Sequence, residues 1–358
     1  MTGIAINGRF LTQGMTGVQR FATEITAAAD ELAARGAWPA ARVLHPPGAR
    51  DAGLRALRAE PAGTRSGQAW EQLDLPRALR GDVLMNLGNT APILAGARQA
   101  VVIHDAGAFD TPESYSFAFR SWYRLLQRLL ARRGARILTV SHFSRGRIAA
   151  ALRIDPASIA VLPEGGEHIL RIPADGAVLG RHRLEPARYA LVVGNPAAHK
   201  NLAALTAAAD VLGQHGLTLA VAGAADPAVF RAGGGVAAGA ARVLGRVSDS
   251  ELRALYENAL CLVFPSRYEG FGLPPLEAMT CGCAVVAAHA GAVPEVCGEA
   301  ALYFDPAQPA TLAEALDRLI TEDGLRDGLR DAGRARATRF TWEGAARELL
   351  AHVTEIRA

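Results

Sequence analysis

Two carboxylates, Glu269 and Glu277, stand with seven residues between them in the run Pro265-Ser-Arg-Tyr-Glu-Gly-Phe-Gly-Leu-Pro-Pro-Leu-Glu-Ala-Met-Thr-Cys-Gly282. The preceding Cys261-Leu-Val-Phe reads as a short buried strand. Pro274 and Pro275 suit the first turn of a helix, where a missing amide donor costs nothing. Glu269 is therefore expected in a loop at the carboxyl end of a strand, and Glu277 in the opening turn of the next helix. In an open α/β sheet that edge is where ligands bind. The amides of Phe271 and Gly272, with the helix start at Leu273, make a seat for an anion. Carboxylates beside such a seat repel a bare phosphate and suit hydroxyl donors. A ligand with hydroxyls on both sides of a diphosphate is a sugar nucleotide. The plainer alternative is a solvated loop carboxylate and a helical glutamate favoured by the dipole.

Of 38 basic residues, 37 are arginine and one is Lys200. Lysine is a compact point charge where arginine is a planar fork needing more room. Lys200 follows Tyr189-Ala-Leu-Val-Val-Gly-Asn, a parallel-type strand ending in glycine, and precedes a helical run expected from Leu202. It too belongs to a strand-to-helix loop at a ligand edge.

The elements that must hold these residues alternate as strand and helix in the manner of two parallel sheets. Strands are expected at Gly3–Ile6, Ala41–Leu44, Val83–Asn86, Ala100–Ile103 and Arg136–Val140. In the second half they are expected at Tyr189–Val193, Leu217–Ala222, Ala241–Leu244, Cys261–Phe264 and Ala284–Ala287. Pro, Gly and short polar stretches over Pro163–Pro186 mark the break, which places one domain at 1–170 and another at 171–341. Gly233-Gly-Gly and Val236–Ala240 read as a loop without chemistry of its own. With 358 residues, half of them hydrophobic, the chain can bury two cores. Residues 1–165 carry 20 arginines against 13 acidic residues, and 166–358 carry 18 basic against 22 acidic. Cys261, Cys281, Cys283 and Cys297 have neither zinc-knuckle nor Cys-x-x-Cys spacing. No signal peptide or apolar run long enough to span a bilayer is seen, so a cytoplasmic location is expected.

The first domain offers three constellations. Gly14-Met-Thr-Gly17-Val-Gln-Arg20 follows the first strand, with glycines that let backbone approach a ligand and Arg20 adding positive charge. Val101-Val-Ile-His104-Asp105 ends another strand, and a neutral imidazole there can donate to a sugar hydroxyl or hold a proton near a leaving phosphate. Arg120, Arg124, Arg128 and Arg132 recur every four residues along a helix whose other side carries Trp122, Leu125, Leu126, Leu129 and Leu130. That stripe suits an anionic lipid surface, and equally an ordinary helix with solvated arginines. Charge this local, with few aromatics, argues against nucleic acid.

Taken together, the segment around Glu269 resembles the E-x7-E signature of retaining glycosyltransferase family 4. The resemblance covers most of residues 1–345 and is most specific over 189–305. It implies the GT-B fold, two Rossmann-like domains facing an interdomain cleft, with the terminal helix 342–358 packing back on the first. By the same resemblance Glu269 lies by the donor hexose and Glu277 binds the nucleotide ribose. Lys200 meets the diphosphate, Gly17 belongs to the glycine loop, and His104 sits near the reacting sugar. Many relatives carry arginine where this chain has Asn195, and asparagine where it has Glu164. In Gly245-Arg-Val247-Ser248-Asp249-Ser-Glu251 the backbone would meet the base, although Ser248 and Glu251 also form a capping box.

No metal-ligand cluster or Asp-x-Asp is apparent, so no cofactor or metal is expected. Lys200, the loop amides and the helix dipole would stabilise the departing diphosphate. Trp70-Glu-Gln-Leu-Asp-Leu-Pro and Gly88-Asn-Thr-Ala-Pro92 resemble bacterial polysaccharide transferases that use GDP-mannose. The resulting expectation is hexose transfer from GDP-mannose to a lipid-linked saccharide with retention of configuration. A UDP-sugar transferase, a sugar-nucleotide epimerase and a non-catalytic sugar-nucleotide sensor are the alternatives.

Overall fold

A computed structural model describes residues 3–194, 197–201, 204–223 and 241–357. Asn195, the expected helix start at Leu202 and the loop Gly233–Ala240 lie outside the described residues.

The chain divides into two compact units. One comprises Met1–Gly165 with Thr341–Ala358, and the other comprises Gly166–Phe340. The junction falls five residues earlier than the sequence placed it, because Gly166–Leu170 belongs with the second unit. His168 bonds to Glu277 there, and a Cβ on Gly166 would lie 2.6 Å from Thr280 Oγ1.

The first unit is built on seven parallel strands: β1 Ile4–Asn7, β2 Ala41–His45, β3 Arg58–Pro61, β4 Val83–Asn86, β5 Gln99–Val102, β6 Arg136–Thr139 and β7 Ala160–Val161. Their order is β3-β2-β1-β4-β5-β6-β7. The central strands β1, β4 and β5 are buried along their whole length, as expected when helices cover both faces of a parallel sheet. Leu126 and Leu130 from the helix Phe117–Arg132 pack with Val101, Ile103, Ile137 and Ile148. The terminal helix Trp342–Arg357 packs on the helix Gly17–Ala34, with the buried Trp342 ring edge-on to Phe21 at 5.8 Å.

The second unit has six parallel strands: β8 Tyr189–Val193, β9 Thr218–Ala222, β10 Ala241–Gly245, β11 Cys261–Phe264, β12 Ala284–Ala288 and β13 Leu302–Phe304. Their order is β10-β9-β8-β11-β12-β13. Leu205, Leu212, Leu312, Leu316 and Leu319 close the core beside Val192, Leu219 and Val286.

All ten expected strands form, with ends displaced by at most one residue. Among the described residues there are three more, β3, β7 and β13, and each is at an edge of its sheet. Each sheet also reverses its direction of growth once. The chain steps outward from β1 to β3 and returns beside β1 as β4, and it steps from β8 to β10 and returns beside β8 as β11. In open α/β sheets the carboxyl ends flanking such a reversal are where ligands bind.

Candidate functional site

In the second unit the loops after β8 and β11 flank that reversal, and they carry Lys200 and Glu269. Lys200 Nζ lies 2.6 Å from Glu269 Oε1, both side chains being partly buried, and 5.5 Å from the centre of the Phe264 ring. The amide of Arg267 donates to the His199 carbonyl at 2.8 Å, tying the two loops together. A third segment clasps Glu269 from behind. Gly291 has φ +60°, and a Cβ there would meet the Glu269 backbone N and O at 2.8 Å, while Ala292 N donates to Glu269 O at 3.1 Å. Gly291 thus serves the site by lacking a side chain, which a single glycine in the sequence does not announce.

Beyond Glu269 the chain turns at Gly272, whose φ of +117° caps the helix Leu273–Thr280. Pro274 and Pro275 occupy its first turn and remove two amide donors there. Of the donors expected to seat an anion, the amides of Phe271, Gly272 and Leu273 are the ones the chain retains at this helix start. The Phe271 ring is buried edge-on to Phe340 at 5.9 Å, which anchors this loop. Because the helix begins at Leu273, Glu277 lies in its second turn, not the opening one. It is also 6% exposed. Its Oε1 is 2.9 Å from His168 Nε2, and its Oε2 accepts from the Tyr256 hydroxyl at 3.1 Å. Sequence reasoning passed over both partners, since neither stands near Glu277 along the chain.

Val247 is half-buried in the loop between β10 and the helix Asp249–Asn258. Ser248 and Glu251 form the capping box, each side chain meeting the other's backbone amide.

In the first unit, Gly17 opens the helix Gly17–Ala34, and a Cβ at Gly14 or Gly17 would meet nothing within 4 Å. The space beside this loop is open. Arg20 does not bring an uncompensated charge, because Glu24 lies 3.6 Å away one turn on.

His104 follows β5 and is 5% exposed. Its Nε2 lies 3.0 Å from the Leu87 carbonyl, Asn89 Oδ1 accepts from its backbone amide at 2.7 Å, and Phe21 meets the ring edge-on at 4.7 Å. A carbonyl oxygen only accepts, so Nε2 carries the hydrogen. Nδ1 then faces Glu164 Oε1 at 3.6 Å. In this arrangement Nε2–H donates to the protein's own backbone.

A second polar group in this unit went unrecognised in the sequence. Asn7, at the end of β1, donates to Glu71 at 2.8 Å, Thr90 donates to the same oxygen at 3.1 Å, and Arg9 reaches it at 3.4 Å. These side chains line a small recess with Gln13, Val18 and Gln19.

The arginine helix also departs from its expected faces. Arg124 Nε donates to the Ala108 carbonyl at 2.7 Å, and the guanidinium groups of Arg124 and Arg128 lie over Phe109 at 5.5 and 5.3 Å. Arg120 donates to the Pro112 carbonyl at 3.4 Å. Leu125, expected inside, is 53% exposed, and Phe117 at the helix start is 74% exposed. Arg120 and Arg124 thus lean on neighbouring carbonyls, while Arg128 and Arg132 are exposed. Among the described residues no helix is long and apolar enough to cross a membrane, and no group of three or more His, Cys, Asp or Glu could hold a metal ion.

Residues 181–336 match the family described as glycosyl transferases group 1. The O-antigen chain mannosyltransferase B of Escherichia coli is 32% identical over 266 residues, which cover 71% of this chain and 69% of that protein. The MMP alpha-(1->4)-mannosyltransferase of Mycolicibacterium hassiacum is 33% identical over 240 residues, 65% of this chain and 57% of that protein. Two solved structures share the whole fold. Sucrose-phosphate synthase from Thermosynechococcus elongatus has a TM-score of 0.73 at 18% identity, covering 100% of this chain and 99% of that one. Anabaena HepE, solved in complex with UDP and glucose, has a TM-score of 0.73 at 17% identity, covering 99% of this chain and 100% of that one. With two parallel-sheet α/β domains of GT-B type and this degree of identity to a mannosyltransferase over most of both chains, the protein belongs to the group 1 glycosyltransferases and is a transferase enzyme.

Proposed function

We propose that the protein transfers mannose from GDP-mannose to a lipid-linked saccharide, with retention of configuration and without a metal ion. The observation that carries the reading is the Lys200–Glu269 pair at 2.6 Å, on the loops after the two strands that flank the reversal of the second sheet. Both mannosyltransferase relatives support the choice of hexose.

In this reading the donor diphosphate replaces Glu269 as the partner of Lys200 and rests on the amides of Phe271, Gly272 and Leu273. Breaking the anomeric bond leaves negative charge on the diphosphate, and these preformed donors stabilise it as it develops. Glu269, released from the ammonium, accepts from hydroxyls of the hexose. Glu277 takes the ribose hydroxyls, and the backbone near Val247 meets the base. In the first unit the open space beside Gly17 admits the acceptor, and Arg20 and His104 take part in holding it. Exposed Phe117 and Leu125, beside Arg120, Arg124, Arg128 and Arg132, would rest on an anionic membrane carrying a lipid-linked acceptor, which fits a peripheral enzyme at the cytoplasmic face.

The test is a thermal-shift panel with GDP, UDP, ADP, CMP and dTDP at equal concentration in EDTA, followed by turnover of GDP-mannose. A ligand that binds the folded state raises the melting temperature by mass action, by about 2.7 kcal/mol of added stability at a hundred times its Kd. Stabilisation by GDP alone, and consumption of GDP-mannose, are expected. A preference for UDP overturns the mannose donor, and no response to any nucleotide overturns the donor site.

A further inference from the structure

A carboxylate that receives ribose must point its lone pairs in one direction, and a glutamate in the second turn of a helix has three torsions with which to miss. Glu277 is held by two side chains from separate elements of the second unit. His168 comes from the turn Glu167–Arg171 and Tyr256 from the helix Asp249–Asn258. Their exposures are 2% and 0%. Each takes a different oxygen of the carboxylate, at 2.9 and 3.1 Å. An ionised carboxylate accepts about four hydrogen bonds in all, so one acceptor direction remains on each oxygen. A cis-vicinal diol presents two neighbouring O–H donors that match such a fork, much as a guanidinium does.

We propose that His168 and Tyr256 are positioning residues of the nucleotide site, which fix Glu277 so that both of its oxygens meet the ribose diol. The proposal rests on the donor reading given above. Burial, and after it the neighbouring Glu277, raise the Tyr256 hydroxyl far above the usual range, which keeps it a hydrogen-bond donor. A cluster serving packing alone would be indifferent to what the ribose carries.

The experiment compares GDP with its 2′,3′-dideoxy analogue by calorimetry on the whole chain, with UDP and dideoxy-UDP in parallel. The variants are Tyr256→Phe, His168→Ala and His168→Gln, the last keeping a donor nitrogen. Losing a hydrogen bond that orients a charged acceptor is expected to weaken binding of the ribonucleotide roughly tenfold in Tyr256→Phe and His168→Ala. The dideoxy form should bind all proteins alike, and His168→Gln should recover most of the loss. Equal losses for both nucleotides, or none, overturn the proposal while leaving the donor reading intact. Wild-type protein that binds neither ribonucleotide overturns the donor reading and this proposal with it. Should His168→Ala fail to fold, Tyr256→Phe, which removes one oxygen and keeps the ring, decides the matter.

Discussion

Lys200 and Glu269 neutralise each other at 2.6 Å, and that mutual satisfaction opposes ligand binding. An anionic donor must displace the carboxylate before it gains the ammonium. Partly exposed pairs of this kind hold by no more than about 1 kcal/mol, so the exchange is cheap. Glu269→Gln should therefore strengthen GDP binding by roughly two- to fivefold, the affinity otherwise spent against the pair. The same variant should lower turnover by on the order of 10² through loss of an interaction made to the reacting sugar. Calorimetry and initial rates read the two effects separately, and unchanged turnover would remove Glu269 from the chemistry. The sequence made these two residues legible because each follows a strongly apolar strand and has an uncommon type or spacing. Their pairing was not legible, since a sequence separation of 69 closes only through sheet order. The partners of Glu277 and the Asn7–Arg9–Glu71 group were hidden for the same reason.

At the scale of elements, the longer strands with continuous apolar runs declared themselves, while β3, β7 and the three-residue β13 did not. Arg58-Ala-Glu-Pro has no apolar face to recognise, and Ala160–Val161 is two residues long. Edge strands need only one neighbour, so their patterns are weakly constrained. The segment Gly245–Glu251 left a base-contacting loop and a capping box as equal readings, and the capping box is present. Ser248→Ala should accordingly cost about 1 kcal/mol of stability and leave the Kd for GDP within twofold, since the proposed contact to the base uses backbone. Urea denaturation alongside calorimetry checks both. A large loss of GDP affinity at unchanged stability would make the hydroxyl a ligand contact.

For the molecule as a whole, the division into two units was legible from alternation and the proline-rich break, but the assignment of Gly166–Leu170 required the contacts of His168. The terminal helix joins the first unit through Trp342, which is fully buried. Trp342→Ala leaves a large cavity against Phe21 and should cost about 3–5 kcal/mol. With two units a single unfolding free energy is ill defined, so hydrogen exchange is the better probe. Amides of β1, β4 and β5 should lose protection while those of β8, β11 and β12 keep theirs. Uniform loss in both sheets would show that the two cores unfold as one.

The terminal helix also orders events in time. Every residue of the second unit lies within one unbroken stretch, Gly166–Phe340, whereas the first unit is assembled from both sides of it. During synthesis, the residues of the second unit have all been made before the first unit receives Trp342. Until then Phe21 and its neighbours on the helix Gly17–Ala34 lack the cover they have in the finished protein. The earlier-translated half is thus the later one to be completed, and its apolar helix face is the surface a chaperone would meet on the nascent chain.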